Sequence, residues 1–288
     1  MGATYDAVIR RRLWRYRQVD VLMVPLVILA LTYALSMHGQ AILLTSITMY
    51  AAIWHRGRQS LGVARFYQRG IGGAVSPLHD CLFRGAIYLP MLAAMLAYTY
   101  LAPTEYEGQP YLALNVGAAF TSRVGLVAAL WVIAYLAWAV WRSRTERETF
   151  ASDNAGGTGI HPGECWVVLA HAVAFGSSYV FGATNASFLL VLAVHHEAQY
   201  LYFTYAMARR PGDLQATRNP RVDLIRVRAP RSEAKFAAAF LLWPVIGFAG
   251  ALFGGWLQLK WLGPLGVGGL FCHYWLDGRI WTRRLSPA

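Results

Sequence analysis

Long apolar segments alternate along this chain with short segments that are rich in basic residues. An apolar segment of about 20 residues is long enough to cross a bilayer as an α-helix. We therefore predict an all-α fold, a polytopic membrane helix bundle that forms a single transmembrane domain over residues 1–288. The pattern places about eight helices, at residues 19–37, 40–66, 81–101, 119–141, 163–182, 186–208, 235–255 and 262–282.

The composition supports a membrane protein. Hydrophobic residues make up 57% of the 288 residues, charged residues only 14%, and the mean hydropathy is +0.37. Soluble globular domains rarely show this balance. The net charge of +12 would suggest nucleic-acid binding in a soluble protein. Because the basic residues here lie between apolar segments, membrane topology explains the charge, and we expect the lipid bilayer and no nucleic acid as a partner.

The basic residues also predict an orientation. Cytoplasmic loops of membrane proteins carry an excess of Lys and Arg. In this chain the basic residues are concentrated in every second connecting segment. We therefore predict an integral protein of the bacterial inner (cytoplasmic) membrane with both termini in the cytoplasm. The basic segments are residues 10–17, 65–69, 142–147, 209–235 and 283–284.

Five histidines fall inside the predicted helices. An ionisable side chain in hydrocarbon is costly, so such residues usually face the interior of the bundle and serve a function. Three of the sites also have an amide or carboxylate four residues further on, which places it on the same helix face. The histidines are His55, His171, His195, His196 and His273, and the companions are Gln59, Gln199 and Asp277.

This pattern indicates a metal site, because imidazole is the commonest protein metal ligand. We predict the five histidines as candidate ligands and Gln59 and Gln199 as side chains that orient them. Asp277 would orient His273 or bind the metal itself, and Glu197 is a candidate proton-transfer group if it lies in a polar cavity. Successive helical residues point about 100° apart. One of the adjacent pair His195 and His196 would therefore bind while the other hydrogen-bonds elsewhere.

The residue types limit which metal ions the predicted site could bind. The three cysteines, Cys81, Cys165 and Cys272, have no recognised ligand spacing, which disfavours iron–sulfur and structural zinc sites. Four histidines, with or without Asp277, suit Fe(II) or Zn. The H-x-x-x-H and H-x-x-H-H boxes of diiron membrane enzymes are absent, so we predict a mononuclear centre. Haem held by two opposed histidines is an alternative.

The remaining histidines lie near predicted helix ends. His38 falls on the side opposite the cytoplasm, and His79, Asp80 and His161 fall at the cytoplasmic surface. For all four we predict solvation at the membrane interface.

The C-terminal H-x-x-x-D of His273 and Asp277, the His195–His196 helix followed by Arg209 and Arg210, and His55 resemble the bacterial β-carotene 15,15′-dioxygenases of the Brp/Blh type. The P-H-G-x-x-D signature of that family is absent from the first helix. The resemblance implies a ferrous iron held by four histidines that cleaves a polyene with O₂.

From the sequence we favour a non-haem iron oxygenase, dioxygenase-like, that acts on a lipid-soluble substrate. One alternative is an electron-transfer membrane subunit that binds haem or a quinone. Another is a non-catalytic membrane subunit or transporter, in which the histidines hold helices together or bind a solute.

Overall fold

The structure is a computed structural model that describes residues 18–70, 75–100, 105–106, 109–113, 116–150, 160–182, 191–200 and 262–280. These residues are almost entirely helical, which confirms the all-α class. A π-helical turn, Val19–Met23, leads into the first helix. Two-residue strands β1 (Glu105–Tyr106) and β2 (Gln109–Pro110) pair antiparallel. The seven helices of the described part are α1 (Val24–Met37), α2 (Ala41–Gly70), α3 (Pro77–Tyr100), α4 (Ala118–Phe150), α5 (Pro162–Gly182), α6 (191–200) and α7 (Leu262–Ile280).

Four helical segments of the described chain are long and apolar enough to cross a membrane. Large apolar side chains are exposed on their surfaces, as expected of helices that face lipid. The chain therefore has the character of an integral membrane protein. The predicted helix at 235–255 lies outside the described residues. The four segments are Val19–Met37, Pro77–Tyr98, Ala118–Thr145 and Pro162–Phe181.

Local signals in the sequence set the helix ends. The hydroxyl of Ser76 accepts the backbone N–H of His79 at 3.2 Å, which caps α3, and Pro77 occupies its first position. Helix α1 ends before Gly39, which has φ +73°. Residues with a Cβ atom rarely adopt this left-handed conformation, so the glycine allows the tight turn into α2.

The described residues divide into two compact units. In the unit formed by Met1–Leu44 and Leu201–Ala288, α7 packs antiparallel on α1. The indole N–H of Trp275 donates to the carbonyl of Asp20 at 3.0 Å. A Cβ on Gly268 would lie 2.6 Å from the Thr32 hydroxyl oxygen, so glycine is needed for the close approach of the two helices. The single domain predicted for the whole chain stays a prediction.

The second unit, Thr45–Tyr200, holds α3, α4, α5 and α6 and most of α2. Helix α3 lies between α2 and α4, and it also contacts α5. On α5 polar and apolar residues alternate along one face, at Glu164, Val168, His171 and Phe175. All four are fully buried. The interior of this unit therefore contains two polar clusters, separated by an apolar layer.

The segment 109–113 covers one end of the second unit. The backbone N–H of Leu112 donates to the Ser46 hydroxyl at 2.7 Å, and the Tyr50 hydroxyl donates to the Leu112 carbonyl at 3.1 Å. The hydroxyl of Tyr111 donates to the Tyr98 carbonyl at 2.6 Å. Burial raises the pKa of Tyr111 above its usual value, with smaller effects from Tyr50 and Tyr98. The hydroxyl therefore keeps its proton and remains a donor.

Candidate metal centre

Two of the candidate ligands meet between α2 and α6. The rings of His55 and His196 have centroids 5.1 Å apart and planes inclined at 65°. A ring nitrogen of one lies within 4.8 Å of a ring nitrogen of the other. Two imidazoles bound to one ion at about 2.0–2.1 Å have nitrogens no more than about 4.2 Å apart. A small rotation of either side chain would bring this pair to that separation.

His171 has the protonation that a metal ligand requires. Its Nε2 lies 2.9 Å from the carbonyl oxygen of Ile87. Because a carbonyl only accepts, Nε2 carries the hydrogen, and Nδ1 has a lone pair. This Nδ1 is buried and has no hydrogen-bond partner among the described residues. Ligating histidines commonly donate their other N–H to a backbone carbonyl, which fixes the tautomer and the ring orientation.

His195 points in a different direction from its neighbour His196 on α6. Its ring centroid is 6.3 Å from that of His171. The side chains of the adjacent pair thus point in different directions, as the 100° step along a helix requires. The ring of His195 lies near His171 on α5 and Ser60 on α2, whereas the ring of His196 lies next to His55 on α2. The second unit thereby gathers four of the five predicted ligands into two pairs.

The amides predicted to orient these histidines have different partners. The Ser60 hydroxyl donates to the Gln199 side-chain oxygen at 3.2 Å and lies 3.4 Å from Nε2 of His195. Gln199 therefore reaches the His195 ring through Ser60. The sequence predicts Gln59 as the companion of His55, but its Nε2 donates to the backbone carbonyl of His196 at 3.0 Å. Gln59 thus attaches α6 to α2 and positions the His196 ring through its backbone.

Glu197 lies beside the histidines but is not enclosed. Its Oε1 is 4.0 Å from Nε2 of His196, and its side chain is 55% exposed. The proton-transfer role predicted for Glu197 requires a polar cavity. The half-exposed position next to the ring does not provide that enclosure.

The fifth predicted ligand, His273, lies on α7 in the other unit. Both His273 and Asp277 are buried, at 2% and 4% exposure. The His273 Nε2 and the Asp277 Oδ2 are 3.5 Å apart. The spacing of four residues therefore brings the carboxylate to the imidazole, as the sequence predicts.

A second polar cluster surrounds Glu164, a residue that was not predicted from the sequence. Its Oε1 accepts the Tyr135 hydroxyl at 2.7 Å and the Gln68 amide at 2.9 Å. The same oxygen lies 2.6 Å from Nε2 of His79. Four helices, α2 to α5, thus meet at one buried carboxylate. The single Glu at the start of an apolar helix is the sequence signal that could have identified it.

The prediction that His79 is solvated at the interface is wrong, because its ring is buried against Glu164. Asp80 is 30% exposed but pairs with the guanidinium groups of Arg65 and Arg84. Arg65 also donates to the Gln68 side-chain oxygen at 2.9 Å. An ion-pair network therefore continues from the Glu164 cluster to the surface of the second unit.

The two other peripheral histidines are placed differently. His38 is exposed at the end of α1. The Nδ1 of His161 accepts the backbone N–H of Gly163 at 2.9 Å, and its ring packs on Tyr67 with centroids 4.9 Å apart. His161 therefore serves the start of α5, and neither residue belongs to the histidine cluster.

Comparison of the chain with protein-family models, with curated proteins and with solved structures gives no match. The site itself therefore provides the evidence for the function.

Proposed function

We propose that this chain is a membrane-embedded metalloenzyme with a mononuclear, histidine-ligated centre at His55 and His196, between α2 and α6. Its lipid-soluble substrate would reach the centre from the bilayer. The observation that carries the proposal is the meeting of His55 and His196, from separate helices, with ring nitrogens within 4.8 Å of each other. Imidazole is the commonest protein metal ligand, and histidines that face each other inside a membrane bundle usually serve a function.

The tautomer of His171 supports the same proposal. Its Nε2–H is fixed by the Ile87 carbonyl, and its Nδ1 lone pair is buried without a hydrogen-bond partner in the part of the chain that the structure describes. A histidine kept only for helix packing would gain from pairing both nitrogens. A metal ion or a metal-bound group would occupy that lone pair.

The ring geometry makes haem a poorer fit than a single metal ion. Axial histidines face each other across the macrocycle. The rings of His55 and His196 are inclined at 65° with centroids only 5.1 Å apart, which leaves no space for a macrocycle between them. In the other pair, formed by His171 and His195, the His171 ring is stacked on Phe175 with centroids 4.1 Å apart. The Phe175 ring therefore covers one face of this imidazole.

We propose Fe(II) as the ion and oxygenation as the chemistry. Imidazole ligands suit iron and zinc alike, but of these two only iron activates O₂. A dioxygenase places both atoms of O₂ in its products, so the reaction needs no separate reductant. The resemblance to the β-carotene dioxygenases favours this reaction class. The protein would contribute an apolar, water-poor environment and an orientation for the substrate.

Metal content tests the proposal. In the purified protein, His55→Ala and His196→Ala are expected to lower bound iron to a small fraction of the unmodified level, because each removes one of few ligands. His38→Ala and His161→Ala serve as matched controls and should retain the metal. Elemental analysis with a visible spectrum is the measurement. Equal iron in all four variants, or a strong Soret band, would contradict the proposal.

His273 is a further candidate ligand that the sequence predicts, with Asp277 as its companion. The same metal measurement on His273→Ala tests this prediction separately. Loss of iron would add His273 to the ligand set. Unchanged iron, with loss in His55→Ala, would restrict the centre to the second unit.

We also propose eight membrane-spanning helices with both termini in the cytoplasm, on the basis of the alternating basic segments. With the natural cysteines replaced by serine, a Thr217→Cys variant is expected to react with a membrane-impermeant maleimide only in inside-out vesicles. Reaction in right-side-out vesicles would invert the topology. An Asn115→Cys variant, on a segment predicted to face the other side, provides the opposite control.

A further inference from the structure

Arg56 lies on α2 next to His55, at the middle of a 30-residue helix. Its Nη1 is buried and has no hydrogen-bond partner among the residues that the structure describes. Arg58, two residues further on, is exposed, and its Nη1 donates to the Tyr88 hydroxyl at 2.8 Å. The side chain of Arg56 as a whole is half-buried. Its Nη1 lacks an acceptor in the described part of the chain, whereas the Nη1 of Arg58 has one.

A buried guanidinium N–H group without an acceptor is costly. Deprotonation cannot remove any of the five N–H donors of arginine, because the side chain keeps its charge at any physiological pH. Arginines inside membrane proteins therefore pair with an acidic group or face a functional cavity. Arg56 is close enough to His196 and to Tyr98 to interact electrostatically with both. Its charge therefore acts on the histidine cluster.

A metal ion at this cluster makes the need for an anion stronger. A divalent cation beside Arg56 concentrates three positive charges in a medium of low dielectric constant. The carboxylate next to His196 belongs to Glu197, which is half exposed and forms no ion pair with Arg56 in the described part of the chain. A ligand that carries an anionic group would offset this charge.

We propose that Arg56 binds the carboxylate of an amphiphilic substrate with a long apolar chain, as in a fatty acid. This inference rests on the proposed function and names the substrate class of that site. The guanidinium fork matches a carboxylate with two parallel hydrogen bonds. The neighbouring core is apolar and includes two flexible methionine side chains, which adapt to an extended hydrocarbon chain. It is formed by Met49, Ile53, Met91, Phe175 and Leu192, among others.

Equilibrium binding of radiolabelled oleate and oleyl alcohol to the full chain in lipid nanodiscs tests the proposal, with empty nanodiscs as background. The unmodified protein is expected to bind the acid about 10- to 100-fold more tightly than the alcohol, the range for hydrogen bonds to a charged group. Arg56→Gln should remove this preference by weakening the acid alone. Arg56→Lys should retain part of it, and Arg58→Gln should retain all of it.

Equal affinity of the unmodified protein for acid and alcohol would overturn the proposal, whatever the folding of the variants. A full acid preference in folded Arg56→Gln would also overturn it. Each protein is measured with and without iron. Acid selectivity that depends on Arg56 but not on iron supports the carboxylate site even if no metal is bound. Iron binding without acid selectivity supports the metal centre and rejects this substrate class.

Discussion

Glu164→Ala is expected to lower the free energy of unfolding by about 3 to 5 kcal/mol, because it leaves several buried groups without an acceptor and each costs about 1 to 3 kcal/mol. The substitution leaves the Tyr135 hydroxyl, the Gln68 amide and the His79 ring without their common acceptor. Each such group is buried in an apolar interior, where an unpaired donor is costly. Unfolding of the purified protein by denaturant, followed by circular dichroism, measures the change.

Two variants serve as controls for this prediction. Glu164→Gln keeps an oxygen that accepts from Tyr135 and Gln68. Its free energy of unfolding should therefore fall by less, about 1 to 3 kcal/mol. Glu197→Ala removes a carboxylate that is half exposed and should change stability by less than about 0.5 kcal/mol. If Glu164→Ala were as stable as Glu197→Ala, the cluster would not hold the four helices together.

The sequence predicted the described helices well, because the signals that define them are local. Apolar length and capping residues such as Ser76 and Gly39 act within one or two turns. The pairing of His273 with Asp277 was predictable for the same reason, since residues four apart on a helix face each other. Both the helix and its i, i+4 contact are properties of a short segment.

The contacts between helices were not predictable from one sequence. The acceptor for His171 is a backbone carbonyl on α3, and the partner of Gln59 is a backbone carbonyl on α6. Every residue has a backbone carbonyl, so the identity of the acceptor residue gives no sign of either contact in the sequence. The burial of His79 by Glu164 depends on residues 85 positions apart. The histidines thus indicated the position of the candidate site in the sequence. Their hydrogen-bond partners depend on how the helices pack.

Helix packing also determines which glycines are required, and Gly85→Ala is expected to destabilise the protein by about 2 to 6 kcal/mol. A Cβ at Gly85 would lie 2.0 Å from Nε1 of Trp131, closer than any real contact. The indole is rigid and donates to the Leu82 carbonyl at 3.0 Å, so moving it breaks that bond. The expected loss combines about 1 to 3 kcal/mol for overpacking with a similar cost for the lost hydrogen bond.

Two glycines of α2 provide matched controls for the same unfolding measurement. A Cβ at Gly62 would have nothing within 4 Å, so Gly62→Ala should be neutral or stabilising by up to about 1 kcal/mol, the difference in helix propensity. A Cβ at Gly57 would meet the Met91 sulfur at 2.4 Å, but this side chain is flexible, so Gly57→Ala should cost less than Gly85→Ala. If all three variants unfolded at the same denaturant concentration, the contact of α3 with Trp131 on α4 would not be tight. The expected order of the losses of stability, with Gly85→Ala largest, Gly57→Ala next and Gly62→Ala smallest, therefore measures how rigidly α3 is held between its neighbours. The same rigidity determines how firmly the Ile87 carbonyl on α3 fixes the ring of His171.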